Sequence, residues 1–243
     1  MRISRIYIDQ PLQAGSELLL PADAAHHIGV VLRATAGQPL VLFNNTGIEA
    51  QAVIVRSDRK QVVVCIGDVA AVDKESPLSV HLAIGISRGE RMDLVLQKST
   101  ELGVASITPL FCERTEVKLS GDRLQKKMEQ WQKIIVGACE QSGRTRLPRL
   151  HAASGLRDCL AADTSERRFV LHHRSDSTLA DQAARPVNVM LLVGPEGGLS
   201  DSEIAVAEQA GCSPLTLGPR VLRTETAPLA ALSVLQYRWG DFC

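Results

Sequence analysis

The sequence predicts an α/β protein in two parts, a small all-β barrel followed by a mostly parallel sheet layered with helices. Three observations carry this. About 70 N-terminal residues hold short apolar stretches divided by turn signals. The rest alternates strand-like and helix-like patterns, the signature of a parallel α/β sheet. Between them lies Val72-Asp73-Lys74-Glu75-Ser76-Pro77, a polar segment ending in proline that reads as a linker. The expected boundaries are 1–72 and 73–243.

In the first part, Leu18–Leu20, Leu40–Phe43, Ala52–Val55 and Val62–Ile66 read as strands. Asn44-Asn45-Thr46-Gly47 and Ser57-Asp58-Arg59-Lys60 are the turns. One helix interrupts the series, from Pro21 or Ala22 to Leu32. Several short strands at close spacing suggest the barrel.

In the second part, Leu78, Val80, Leu82, Ile84 and Ile86 alternate as one strand. Met92, Val95, Leu96, Ser99 and Leu102 share a helical face, stopped by Gly103. Ile107–Phe111 is a strand. Asp122 opens a helix with Leu124, Met128, Trp131, Ile135 and Ala138 on its apolar side, and Asp122 and Gln125 stand at capping-box spacing. Phe169–His172, Val189–Val193 and Leu215–Leu217 read as further strands. Ser200 and Glu203 form a second capping-box pair, opening a helix that ends at Gly211. A final apolar helix runs from about Thr226 to Tyr237.

Composition excludes several classes. The 243 residues are 45% hydrophobic and 22% charged, with 27 basic against 27 acidic side chains. That is a globular composition, not a disordered or collagen-like one. The longest apolar runs are five residues, Val62–Ile66 and Val189–Val193, against the roughly 20 needed to span a bilayer. Arg2 and Arg5 are followed by no apolar stretch of the roughly 7–15 residues in a signal peptide. The expected compartment is the cytoplasm, with no membrane association. Cysteines 65, 112, 139, 159, 212 and 243 form no C-x-x-C pair. They read as reduced, packed thiols rather than metal ligands, and no metal site is expected.

Two segments carry the chemistry. The strand Val189–Val193 runs directly into Gly194-Pro195-Glu196-Gly197-Gly198-Leu199-Ser200 and then a capped helix. A strand–glycine loop–helix unit lets a ligand approach backbone N–H groups closely. The spacing is neither G-x-G-x-x-G nor a P-loop, and Glu196 would oppose a phosphate. It suits a ligand with a positive centre or hydroxyl and amine donors; a glycine-rich turn with no ligand is the bland alternative. The second segment, Leu217-Gly218-Pro219-Arg220-Val221-Leu222-Arg223-Thr224-Glu225-Thr226-Ala227, also joins a strand to a helix. Polar loops at the carboxyl edge of a parallel sheet are where α/β proteins place ligands. Thr224 or Thr226 could instead cap the last helix.

These two segments together closely resemble the ribosomal RNA small subunit methyltransferase E family of the SPOUT superfamily. Ser87–Met92 (SRGERM), Gln97–Val104 (QKSTELGV), Cys139–Arg144 (CEQSGR), and His26-His27-Ile28 with Val31-Leu32-Arg33 agree with it, so the resemblance spans the chain. It implies a PUA-like β-barrel that binds RNA, then an α/β methyltransferase domain with a C-terminal trefoil knot, in a homodimer. The family uses S-adenosylmethionine to methylate N3 of uridine 1498 in 16S rRNA of the small (30S) ribosomal subunit. Its cofactor pocket is built from the knot loops. These map here onto Leu171 and His172, onto Gly194, Pro195, Glu196, Gly197 and Gly198, and onto Leu217, Gly218, Leu222, Arg223, Thr224, Glu225, Thr226 and Ala227.

Uridine N3 is protonated at neutral pH, so a base must accept the proton or cations must stabilise the uridinate. Arg223 and Arg220 are the candidates for the second role, and Glu225 or Glu196 for the first. N3 lies on the Watson–Crick edge, so the base must be unpaired or extruded. With eight aromatic residues in the chain, basic contacts to phosphate must carry most RNA affinity. Residues Arg114–Arg149 hold nine Lys or Arg and four Asp or Glu. Arg114 and Arg144 belong to this stretch, Arg88, Arg91 and Lys98 lie just before it, and Arg2, Arg5, His26, His27 and Arg33 are the barrel candidates. A solvated charged face is the simpler alternative. His172-His173 reads as pocket wall, with at most one ring facing the ligand. Two other functions fit the loops: a non-catalytic RNA-binding or ribosome-assembly module, and an enzyme handling a nucleotide at the glycine loop. The apolar last helix (Leu229, Leu232, Val234, Leu235, Trp239) supports a dimer or fills the core of one subunit.

Overall fold

A computed structural model describes residues 3–58, 61–172 and 185–242. Two compact units divide the chain: residues 1–75 with 139–147, and residues 76–138 with 148–243. Arg2 and His173 lie outside the described residues.

The first unit holds a five-stranded sheet in the order β1-β3-β4-β5-β2. Its strands are β1 (Ser4–Tyr7), β2 (Glu17–Leu19), β3 (Pro39–Phe43), β4 (Ile48–Ser57) and β5 (Val62–Ala71). β1 runs parallel to β3, and the other pairs are antiparallel. Alternation fixes the faces: Ala50, Ala52 and Ile54 of β4 and Val62, Val64 and Ile66 of β5 turn inward, where they meet Ile6, Leu40 and Leu42. The helix expected over 22–32 is broken in two. An α-helical turn, α1 (Ala22–His26), passes into a π-helical turn over His27–Val31, with the Leu32 N–H donating to the His27 carbonyl at 2.9 Å. β-branched Val30 and Val31 weaken regular helix there, and the wider turn leaves Ile28 fully buried. Arg33 then adopts a left-handed φ of 52°. Cys139–Leu147 also belongs to this unit: the Tyr7 N–H donates to Glu140 at 3.0 Å, and the Thr145 hydroxyl donates to the Val72 carbonyl at 2.7 Å.

The second unit is built on a parallel sheet in the order β12-β10-β11-β6-β7-β8, with β9 pairing farther along β7. The ranges are β6 (Ser79–Gly85), β7 (Ser106–Phe111), β8 (Arg149–Leu150), β9 (Ser154–Gly155), β10 (Arg167–Leu171), β11 (Asn188–Val193) and β12 (Ser213–Leu215). Helices cover both faces, which is why the strands read as near-continuous apolar runs. Val189, Leu191 and Val193 pack with α2 (Glu90–Glu101), α3 (Gly121–Ser142) and α6 (Thr226–Trp239). Met190 and Leu192 pack with α4 (Leu156–Ala162) and α5 (Asp201–Gln209) on the other face. In α6, Leu232, Leu235 and Trp239 fill the core, while Val234 and Tyr237 stay on the surface. α3 begins at Gly121, so Asp122 sits inside its first turn rather than at the capping position. Among the described residues no helix is long and apolar enough to cross a membrane.

Because the strands are parallel, the carboxyl ends of β6, β7, β10, β11 and β12 all lie at one edge. β7, β8 and β9 lie on one side of β6, and β11, β10 and β12, which come later in the chain, lie on the other. Such a reversal of strand order opens a crevice at the carboxyl edge.

Candidate active site

The loop after β11 is shaped by close approach. Gly198 takes a left-handed φ of 69°, and its N–H donates to the Pro195 carbonyl at 2.8 Å. A Cβ on Gly194 would lie 2.7 Å from the Leu199 nitrogen, and one on Gly85 at the end of β6 would collide with the Pro195 backbone. Only glycine permits both approaches. The capping box forms as its spacing implies: the Glu203 N–H donates to Ser200 Oγ at 3.1 Å, and the Ser200 N–H donates to Glu203 Oε2 at 2.9 Å. The segment after β7 braces the loop. Arg114 Nη1 donates to the carbonyls of Gly197 and Leu199 at 3.0 and 3.2 Å.

The second loop starts earlier than its sequence suggests. β12 ends at Leu215 because its partner β10 ends at Leu171. Thr216 and Leu217 therefore leave the sheet, and the Thr216 hydroxyl donates to the His172 carbonyl at 3.3 Å. Gly218 has a φ of 89°. At the other end Glu225 occupies the N-cap of α6 and makes no side-chain cap, so neither Thr224 nor Thr226 caps the helix. The turn closes through backbone bonds instead, from the N–H groups of Thr226 and Ala227 to the Arg223 carbonyl, both at 2.9 Å.

The two loops and the end of β10 enclose a cavity of about 300 Å³, a size suited to a small-molecule ligand. Leu171, His172, Gly194, Pro195, Glu196, Gly197, Gly198, Leu217, Gly218, Arg220, Leu222, Thr224 and Ala227 line it, so Glu196 and Thr224 share one cleft. Arg223, Glu225 and Thr226 do not line it. Val221 of the Leu217–Ala227 segment also lines it, as do residues the sequence reading does not place at the pocket: Val193, Leu199, Asp201, Ile204, Leu215, Thr216, and Arg114, a candidate RNA contact in the sequence. Ile204 was legible in retrospect, one helical turn from Ser200. Arg114 was not, since only the pairing of β7 with β6 brings it there.

Glu196, on the cavity wall, is held as an anion. Burial works to raise the Glu196 pKa, but hydrogen bonds from the Arg88 and Glu196 backbone N–H groups, the Ser87 hydroxyl and Arg91 outweigh it and leave it lowered. Glu196 Oε1 accepts from the Arg88 N–H at 2.8 Å and from Arg91 Nη1 at 3.4 Å. Arg91 Nε also lies 3.9 Å from Glu225 Oε2. Arg223 projects outward with its side chain 80% exposed, 3.9 Å from Glu225 Oε1.

The basic candidates divide. His26, His27 and Arg33 are exposed. Arg88 is exposed and paired with Glu116 at 3.0 Å, and Lys98 is paired with Glu101 at 2.8 Å. Arg5 and Arg144 point into their own unit. Arg5 Nη1 meets Glu49 at 2.5 Å and its Nη2 donates to the Gly143 carbonyl, while Arg144 is 5% exposed and held by Glu75. A guanidinium buried against a carboxylate inside its own unit is not presented to a phosphate on the surface. This corrects the sequence reading of Arg144 as an RNA contact, and Arg5 is engaged in the same way.

Sequence and structure comparisons converge on this architecture. A profile described as an RNA methyltransferase domain matches residues 74–236, and one described as an RNA methyltransferase PUA domain matches residues 20–66. A glycine loop and a second polar loop enclosing a cavity at the carboxyl edge of the sheet, in a chain whose two profile matches are an RNA methyltransferase domain and its PUA domain, define an RNA methyltransferase. The ribosomal RNA small subunit methyltransferase E of Buchnera aphidicola from Schizaphis graminum is 36% identical over 241 residues, 99% of this chain and 98% of that protein. The crystal structure of the Neisseria gonorrhoeae protein of that name, bound to S-adenosyl methionine, is 37% identical, covers 100% of both chains and superposes with a TM-score of 0.93. A Legionella pneumophila methyltransferase structure with bound SAM is 48% identical, covers 100% of both chains and superposes with a TM-score of 0.97. The chain belongs to the ribosomal RNA small subunit methyltransferase E family.

Proposed function

We propose that the protein uses S-adenosylmethionine to methylate N3 of a uridine in 16S rRNA, at the position the family modifies, uridine 1498. The observation that carries the reading is the single cavity shared by Gly194–Gly198, Thr216–Thr224 and the end of β10. Its residues fit the cofactor. Glu196 and Asp201 place negative charge beside a ligand that carries a positive centre, and Leu171, Leu217 and Leu222 supply apolar wall. When bound, the cofactor supplies a methyl group on a sulfonium. The chain's task is then to hold the base in line with it and to manage one proton. Arg223, exposed beside the pocket, and Arg220, on its wall, stabilise the negative charge that develops on the uracil oxygens when N3 loses its proton. Glu225 or Glu196 is assigned to accept that proton.

Residues 1–72 are assigned to a PUA-like RNA-binding domain and 73–243 to the SPOUT methyltransferase domain. His26, His27, Arg33 and Arg88, all exposed, are assigned to RNA phosphates. The C-terminal path is read as the trefoil knot. In its support, α6 returns from the β12 edge of the sheet to pack on α2 and β11. We further assign a homodimer and action in the cytoplasm on 16S rRNA or the 30S subunit. A formed cofactor-sized cavity argues against a non-catalytic assembly module, and Glu196 on its wall argues against a nucleotide phosphate. Mass mapping of nucleosides in 16S rRNA, after incubation with the protein and methyl-labelled cofactor, tests the reading. One labelled 3-methyluridine is expected; label elsewhere, or none, overturns it.

A further inference from the structure

We propose that Arg91 is a positioning residue that ties the two loops of the cofactor pocket together, an inference that rests on the methyltransferase reading above. Its guanidinium stands between carboxylates from different loops. Nη1 lies 3.4 Å from Glu196 Oε1 in the glycine loop, and Nε lies 3.9 Å from Glu225 Oε2 at the start of α6. Glu225 is in turn 3.9 Å from Arg223 Nη1. The chain of contacts thus begins at the cofactor loop and ends on the arginine assigned to the uracil.

Three features favour this role over an RNA contact. Arg91 stands on a rigid element, since its neighbours Met92, Val95 and Leu96 anchor α2 in the core. The side chains of Glu196 and Glu225 are only 19% and 16% exposed, so their charges are poorly screened and a cation between them is favoured. Glu90 and Glu225 line the same shallow groove as Arg91, where Asp93 is already paired with Lys127 at 3.1 Å, so the charge of Arg91 is set against carboxylates of its own chain. The planar fork of arginine offers separate edges to the two carboxylates, which one ammonium cannot reproduce.

The test compares wild type, Arg91→Ala and Arg91→Lys in the full-length protein. Single-turnover methyl transfer to 16S rRNA is expected to fall tenfold or more in Arg91→Ala, with the KM for RNA and the salt slope of RNA binding unchanged. Arg91→Lys should recover only part of the rate. Hydrogen exchange of the Thr226 and Ala227 amides, which close the second loop, should quicken at least threefold in Arg91→Ala. A raised KM for RNA with a shallower salt slope and an unchanged single-turnover rate would make Arg91 a phosphate contact and overturn the proposal. Unchanged amide exchange would also overturn it. If wild type transfers no methyl group, the functional reading fails, and the exchange measurement still decides the role of Arg91.

Discussion

The backbone N–H of Arg88 donates to Glu196 Oε1 at 2.8 Å, fastening the segment after β6 to the glycine loop after β11. The bond crosses between adjacent parallel strands, so it fixes the mouth of the crevice from both sides. Glu196→Gln keeps one acceptor and loses the charge that faces a cationic ligand. Affinity for S-adenosylmethionine should fall tenfold or more, read by calorimetric titration at pH 7. Because the Glu196 pKa is lowered in the folded protein, its charge is present above the ordinary 4.5 and survives some way below it. Wild-type affinity should therefore hold steady from pH 7 to pH 5 as far as this group is concerned.

Arg223 is 80% exposed and makes only a 3.9 Å approach to Glu225. An exposed pair of that kind contributes at most about 1 kcal/mol to stability. Arg223→Ala should therefore leave the melting temperature unchanged within a degree or two. If the guanidinium stabilises the uridinate, single-turnover methyl transfer should drop at least a hundredfold. A variant that melts normally and transfers at near wild-type rate would remove this arginine from the chemistry.

What could be read from the sequence follows the physics of each element. β6 and β11 were legible because a parallel sheet buried on both faces leaves long apolar runs. Ser200 and Glu203 were legible because a capping box is local, needing only four residues. Asp122 and Gln125 show the same spacing without the box, since a helix can begin one residue early at Gly121. β1, β8 and β9 have four or two residues and exist only through their partners, so no periodicity announces them. α4 was readable, with Leu156, Cys159 and Leu160 at helical spacing, but is only seven residues long. The glycine loop was legible as chemistry. Its supports were not: Gly85, Arg91 and Arg114 lie more than 80 positions away in the chain and reach it only through strand order.

Asp163 makes a pH-dependent contribution at the opposite end of the sheet. Burial acts to raise its pKa, but the hydrogen bond with His81, two from Ser165 and the charge of His81 bring it down to about 2. Arg168 Nε lies 2.8 Å from its other oxygen. A depressed carboxylate stabilises the fold above its unfolded value of 3.8, and the contribution is lost as pH falls towards 2. The difference corresponds to about 2 kcal/mol. Urea unfolding of wild type should show that loss between pH 5 and pH 2. Asp163→Asn should be less stable at pH 7 by at least this amount and should lack this part of the acid dependence.

Gln236 is a fully buried amide on α6 and serves three groups. The Ser76 hydroxyl donates to its Oε1 at 2.6 Å, and its Nε2 donates to the carbonyls of Leu102 and Gly103 at 3.0 and 3.4 Å. It therefore pins the last helix both to the start of the unit and to the end of α2. The space comes from glycine: a Cβ on Gly103 would lie 2.8 Å from Nε2, and one on Gly240 would overlap Oε1. Gln236→Leu preserves volume but leaves the half-buried Ser76 hydroxyl and the Leu102 and Gly103 carbonyls without this partner, a loss of about 1–3 kcal/mol. Gly240→Ala should destabilise in the same direction by displacing the amide. Both are read as a lower urea midpoint at unchanged slope. A Gln236→Leu midpoint equal to wild type would mean that apolar packing alone holds α6, and that the second loop of the pocket owes nothing to this anchor.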